Sequence, residues 1–173
     1  DATGSQPAGD QAAGDGWSTP RALDLKLRNP EDASWLYWSQ LDAQVQGDSL
    51  HIAGIDAAGG DVWFASSVLS ALDIAFGATS PWSAPAMPAE GADGSAPAIA
   101  VDPTGDIHMV WLQAAADTGE TTLLYANVSR GSRAIAVSTV PADELLRQPC
   151  LLADEAGLLH LAWSGENAGQ IVY

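Results

Sequence analysis

Basic residues are the scarcest feature of this chain: Lys and Arg together number 6, against 22 Asp and Glu, for a formal charge of −16 over 173 residues. A surface so short of positive charge repels phosphate backbones and anionic lipid, which argues against nucleic acid or a membrane surface as partner. Charged residues are only 16% of the chain, so the acidity comes from missing bases rather than from acidic runs. There is one cysteine, Cys150, so no intrachain disulfide can form and the disulfide-stapled scaffolds are excluded. Within Pro149-Cys150-Leu151-Leu152 it reads as a small core residue on a buried strand. No apolar run reaches the length of a membrane-spanning helix. The chain starts without a basic segment followed by an apolar one, so a secretory signal was either removed or never present. The expected location is secreted or cell-surface.

Sustained helical periodicity is also missing. Residues 1–16 are Gly, Ala, Asp, Gln and Pro with too little apolar surface to offset ordering entropy, and they read as a flexible linker or N-terminal extension. From Trp17 to residue 173, short apolar strands alternate with Gly, Pro, Asp and Ser, the pattern of an all-β domain.

An internal repeat dominates that region. Residues 95–111 (SAPAIAVDPTGDIHMVW) align without a gap to 147–163 (RQPCLLADEAGLLHLAW), with Pro97, Asp102, Gly105, His108 and Trp111 identical to Pro149, Asp154, Gly157, His160 and Trp163. A degraded earlier copy runs through Asp48-Ser49-Leu50-His51, so all three histidines share one repeat position. A period of about 50 residues is that of propeller blades. Each unit reads as an apolar strand, an Asp-x-x-Gly turn, a strand bearing His, a third strand near an aromatic (Trp63, Tyr125 or Tyr173), and a stretch leading to Trp-Ser-x-Pro. That last stretch is Trp17–Pro20, Trp82–Pro85 or, weakly, Val137–Pro141. Asp bonding the backbone two residues on, and Gly supplying positive φ, make the turn. Ala98 to Val101 and Ile107 to Leu112 are then an antiparallel hairpin, as are Leu151 to Ala153 and Leu159 to Trp163. Continuously apolar strands suit sheets covered on both faces.

These repeats resemble the sialidase-like, Asp-box β-propellers, whose blades often carry a strand of the form Ile-His-x-Val-Trp. The likeness rests on Pro97–Trp111, Pro149–Trp163 and the Trp-Ser-x-Pro stretches. The Asp-box itself survives only as the drifted run Ser70, Asp73, Gly77, Thr79, Trp82. The resemblance implies about three blades of four antiparallel strands, the last truncated. It implies no catalysis here, because Arg21, Arg28, Arg130, Arg133 and Arg147 lack the family's arginine context and no catalytic residue carries over.

Among candidate sites, His51, His108 and His160 could suggest a metal, but one per blade places them too far apart to share an ion. They are assigned to inter-blade packing, each with a backbone hydrogen bond. Trp82, Trp111 and Trp163 recur and read as packing residues. Trp35, Tyr37 and Trp38 do not recur; on a strand, Trp35 and Tyr37 share one face and Leu36 and Trp38 the other. They are the candidate ligand-binding residues, with closure of the first blade's core as the alternative. The pairs Asp56/Asp61, Asp102/Asp106 and Asp117/Glu120 sit in Gly-rich turns without a calcium-loop spacing, and Asn127-Val128-Ser129 fits a glycosylation sequon. No cofactor is expected. The leading reading is a non-enzymatic structural or protein-interaction module. The rivals are a carbohydrate-binding propeller and a fragment of a glycosidase whose active residues lie elsewhere. A partial propeller should expose the apolar faces of its first and last blades to another chain or to further blades.

Overall fold

The computed structural model describes Leu25, residues 27–72, 81–88, 93–141 and 146–165, and Ile171 and Val172. The 1–16 segment, Trp17–Pro20, most of the drifted Asp-box run and Tyr173 lie outside the described residues. Among these residues ten strands follow in order: β1 (Trp38–Gln46), β2 (Ser49–Asp56), β3 (Val62–Val68), β4 (Gly94–Val101), β5 (Ile107–Ala114), β6 (Thr121–Asn127), β7 (Ile135–Val140), β8 (Cys150–Ala153), β9 (Leu159–Ser164) and β10 (Ile171–Val172). One four-residue helix, α1 (Leu69–Leu72), follows β3. Among the described residues no helix is long and apolar enough to cross a membrane.

The strands form three antiparallel meanders, β1-β2-β3, β4-β5-β6-β7 and β10-β9-β8. The first gains a fourth member in fragmentary form, because Phe64 and Ser67 on β3 bridge to Ala86 and Trp82. Trp82-Ser83-Ala84-Pro85 therefore runs along the edge of the first sheet through isolated bridges, and Val137 to Val140 belong to β7, the outer strand of the second. Both hairpins expected from the repeat are present, with Val101 opposite Ile107 and Ala153 opposite Leu159. The sheets thus hold three or four strands each.

Stacking follows from strand alternation. In the first sheet Ala53, Ile55 and Val62 meet Ile99, Ile107, Met109 and Trp111 of the second in one buried cluster. The opposite face of the second sheet, with Ala98, Val110, Leu112 and Leu123, packs against Leu151, Leu161 and Trp163 of the third. Successive side chains on a strand point to opposite faces, so the near-continuous apolar run Ile107 to Leu112 is buried because both faces are covered. The interfaces are equivalent: odd residues of β5 and β9 face the preceding sheet, while His108 and Val110 face the following one.

The first strands β1 and β4 carry the same irregularity. Each has a bulge, between Ser39 and Asp42 and between Ser95 and Ala98, and each bulge places a non-glycine residue at positive φ, Gln40 at 49° and Ala96 at 49°. Bulges free backbone donors, and the neighbouring sheet takes them up. Ala96 N donates to Gln40 Oε1 (2.6 Å) and Ile99 N to Asp42 Oδ2 (2.9 Å), while Gln46 Nε2 donates to the Asp102 carbonyl (2.7 Å). Polar side chains of β1 therefore fix the register between sheets, a job apolar contact alone does poorly.

One expectation fails at the outer face of the first sheet. That face is not open: Leu50, Ile52, Trp63 and Ala65 are covered by Leu27, Leu36 and Trp82, with Leu25 and Met87 beside them. Residues 27–36 fold back as a tight loop, with Leu36 N bonded to the Leu27 carbonyl (3.0 Å) and Arg28 bridged to Trp35. A segment preceding the repeats caps them, much as terminal units cap repeat arrays.

Candidate functional site

The Asp-x-x-Gly turns have a second task that the sequence reading missed. Asp102 Oδ1 accepts from Thr104 N (2.8 Å), Thr104 Oγ1 (2.7 Å) and Asp106 N (2.9 Å), while Gly105, at φ +89°, donates to the Asp102 carbonyl. The third sheet repeats this: Asp154 Oδ1 accepts from Ala156 N and Leu158 N (both 2.9 Å), with Gly157 at φ +82°. In both cases the other carboxylate oxygen turns inward to the histidine of the next strand, 3.4 Å from His108 Nε2 and 2.9 Å from His160 Nε2. The histidines thus bond a carboxylate six residues back rather than the backbone contact expected for them.

In the second sheet the chain of contacts continues. His108 Nδ1 lies 2.8 Å from Tyr125 Oη, with the rings stacked at 6.0 Å. An ionised carboxylate only accepts, so Nε2 of a neutral imidazole carries the proton and the tyrosine donates to Nδ1. Asp102 is held down to about 2 by the Thr104 hydroxyl foremost, with the Asp106 amide and His108 adding to it. Asp154 is likewise lowered, first by His160 and then by the Leu158 amide. Burial raises Tyr125, the opposite of what a nucleophilic phenolate needs.

His51 has neither partner. Pairing of Val45 with Leu50 and of Val101 with Ile107 puts Gln46 at the Asp102 position, and Gln46 spends its amide on the Asp102 carbonyl. Pairing of Ala53 with Phe64 and of Val110 with Tyr125 makes Phe64 the counterpart of Tyr125. This corrects the assignment of Trp63 to that position. His51 stacks on Phe64 at 6.2 Å, its Nδ1 is buried without a partner, and burial lowers its pKa. Phe64→Tyr should place a hydroxyl at that nitrogen and stabilise the chain by about 0.5–1.5 kcal/mol in urea denaturation. A neutral or destabilising result would show that the two sheets are not equivalent there.

Trp63 compensates elsewhere. Gly54 takes the position of Trp111 and Trp163, and the large ring has moved across to Trp63 on β3, fully buried opposite Gly54. A Cβ at Gly54 would collide with the Trp38 ring and stand 2.6 Å from Leu41 Cδ2. Trp38 is therefore a packing residue and not, as expected from the sequence, a candidate ligand contact. Trp35 and Tyr37 are exposed, by 43% and 64%, while Leu36 is buried, as strand alternation predicts. The Arg28 guanidinium sits 4.0 Å from the Trp35 ring centroid. Beside them Asp56 Oδ1 accepts from Tyr37 N (3.0 Å), and Asp61 is raised by burial and then by Asp56. The sequon Asn127 is buried, its Oδ1 accepting from Ser129 Oγ (2.8 Å) and Arg130 N (3.1 Å), so it caps a turn.

The third sheet departs most from expectation. Cys150 is exposed, not a core residue, and His160 is half-buried where His51 and His108 are buried. Both point away from the second sheet, as does Leu152, paired with His160. Trp111 is fully buried, whereas Trp163, at the same repeat position, is half-buried. Among the described residues no three His, Cys, Asp or Glu side chains gather as a metal site. The chain matches no family model, no curated protein and no solved structure.

Proposed function

We propose that this chain is a segment of a sialidase-like β-propeller, secreted or at a cell surface, that serves as a structural or protein-interaction module rather than an enzyme. The observation that carries the reading is the outward face of the third sheet, where Leu152 and Leu158 are 59% and 62% exposed. The titratable groups suited to chemistry are engaged internally: His108 contacts both Asp102 and Tyr125, and Asp154 holds His160. Two large aliphatic side chains turned to water, on a chain of net charge −16, favour an interaction surface. Such a face should bind a hydrophobic dye such as anilinonaphthalene sulfonate, and Leu152→Asp combined with Leu158→Asp should remove most of the fluorescence gain. Equal dye binding by the variant, or turnover of a sialoside by the chain itself, would defeat the reading.

A second reading is favoured by the exposure of Trp35 and Tyr37, whose rings offer stacking surface to a sugar. Tryptophan fluorescence titrated with oligosaccharides should then respond, and Trp35→Ala with Tyr37→Ala should abolish the response. No response to neutral or acidic glycans removes this reading and leaves the first intact.

A further inference from the structure

We infer that the open face of the third sheet takes a further sheet of the same repeat, presenting an aliphatic residue one position after its histidine and a tryptophan three positions after. The inference rests on the propeller reading and names its partner. It comes from an interface that the chain already builds between its second and third sheets. Ala98, Ala100, His108 and Val110 lie on the following face of the second sheet, and all four are buried there. The residues packed over that face include Leu161 and Trp163, one and three positions after His160. The gapless repeat sets Cys150, Leu152, His160 and Ala162 at those same four positions of the third sheet. The pairing agrees, with Cys150 opposite Ala162 and Leu152 opposite His160, as Ala98 is opposite Val110 and Ala100 opposite His108.

Among the described residues no further strand lies over this face, yet it has the character of a covered one. Where the second sheet has Ala100 and the turn residue Asp106, the third has Leu152 and Leu158, two larger apolar side chains facing water. β8 is apolar on both faces, whereas a strand with one wet face alternates. Leu25 and residues 27–36 close the other end of the stack, so a second copy cannot continue the stack head-to-tail by offering its first sheet. The incoming surface must be that of a sheet that follows in the same sense.

Cys150 reports on the face directly, since it is the only cysteine. In one extended chain a copy of residues 126–173, its own cysteine changed to serine, is appended after Tyr173, continuing the repeat from Tyr173 as the chain continues from Tyr125. A second extension carries residues 94–141, with Met109 and Trp111 as the incoming pair. Iodoacetamide should modify Cys150 at least tenfold more slowly in one or both extensions than in the parent. An aspartate in place of the appended copy's incoming tryptophan should restore the parent rate. Parent-like rates in both extensions would overturn the inference. So would a parent chain that is dimeric by light scattering with Cys150 protected in proportion to dimer, because the occupant would then be a second copy. Either result leaves the interaction-module reading standing; that reading fails on its own if the Leu152/Leu158 variant binds dye as the parent does.

Discussion

Replacing Trp111 with alanine is expected to cost about 3–5 kcal/mol, while Trp163→Ala, at the same repeat position, costs distinctly less. Trp111 is fully buried between Ile107 and Met109 of its own strand and the first sheet's Ala53 and Ile55. Truncation there leaves a cavity walled by two sheets that are also held by the Gln40, Asp42 and Gln46 hydrogen bonds and so cannot collapse freely. Trp163 is half-buried against the second sheet, so the neighbouring layer can relax into the space. A domain stable by about 5–15 kcal/mol has little reserve for the first loss. Urea denaturation of both variants checks the ordering; equal losses would mean that Trp163 is enclosed as fully as Trp111, against its half-burial.

How much of this was readable beforehand depends on whether the responsible contact is local. The Asp-x-x-Gly turns, both hairpins and the alternation at Leu36 follow from neighbours in sequence, and each is found. The partners of the histidines were not legible, because the same Asp102 and Asp154 that make the turns reach across to the next strand with a second oxygen. Nothing in the turn pattern reports that oxygen. Counted outward from the histidine, the register matches Tyr125 to Phe64, whereas aromatic type alone points to Trp63. Cys150 and His160 were misjudged because an apolar strand states that both faces want cover, not that both have it. The cap formed by Leu25 and residues 27–36 carries no repeat signature, so only the folded chain reveals it.

Acid should weaken the fold in two stages that separate residues lacking partners from those that have them. His51 titrates in the folded chain below its ordinary 6.5 because burial penalises its charged form. A lowered folded pKa means that the unfolded chain binds the proton more tightly. Its contribution is whole above pH 6.5 and fades as pH falls through the lowered value. Asp102 and Asp154 act at lower pH. Asp102 falls from 3.8 to about 2 through Thr104, the turn amides and His108, and Asp154 is lowered by His160 and its own turn. Their contribution is whole above pH 3.8 and fades toward about 2, as the carboxylates are protonated and the turn donors lose an ionised acceptor. Melting temperature should therefore decline gently below pH 6.5 and steeply below pH 4. His51→Phe, which keeps a ring against Phe64 and removes the orphaned nitrogen, should erase the gentle decline and leave the steep one. Asp102→Asn should lower stability at neutral pH and flatten part of the steep decline. A wild-type melting temperature that stays level from pH 7 to pH 3 would be incompatible with both, and would mean that neither His51 burial nor the Asp102 and Asp154 contacts persist in solution.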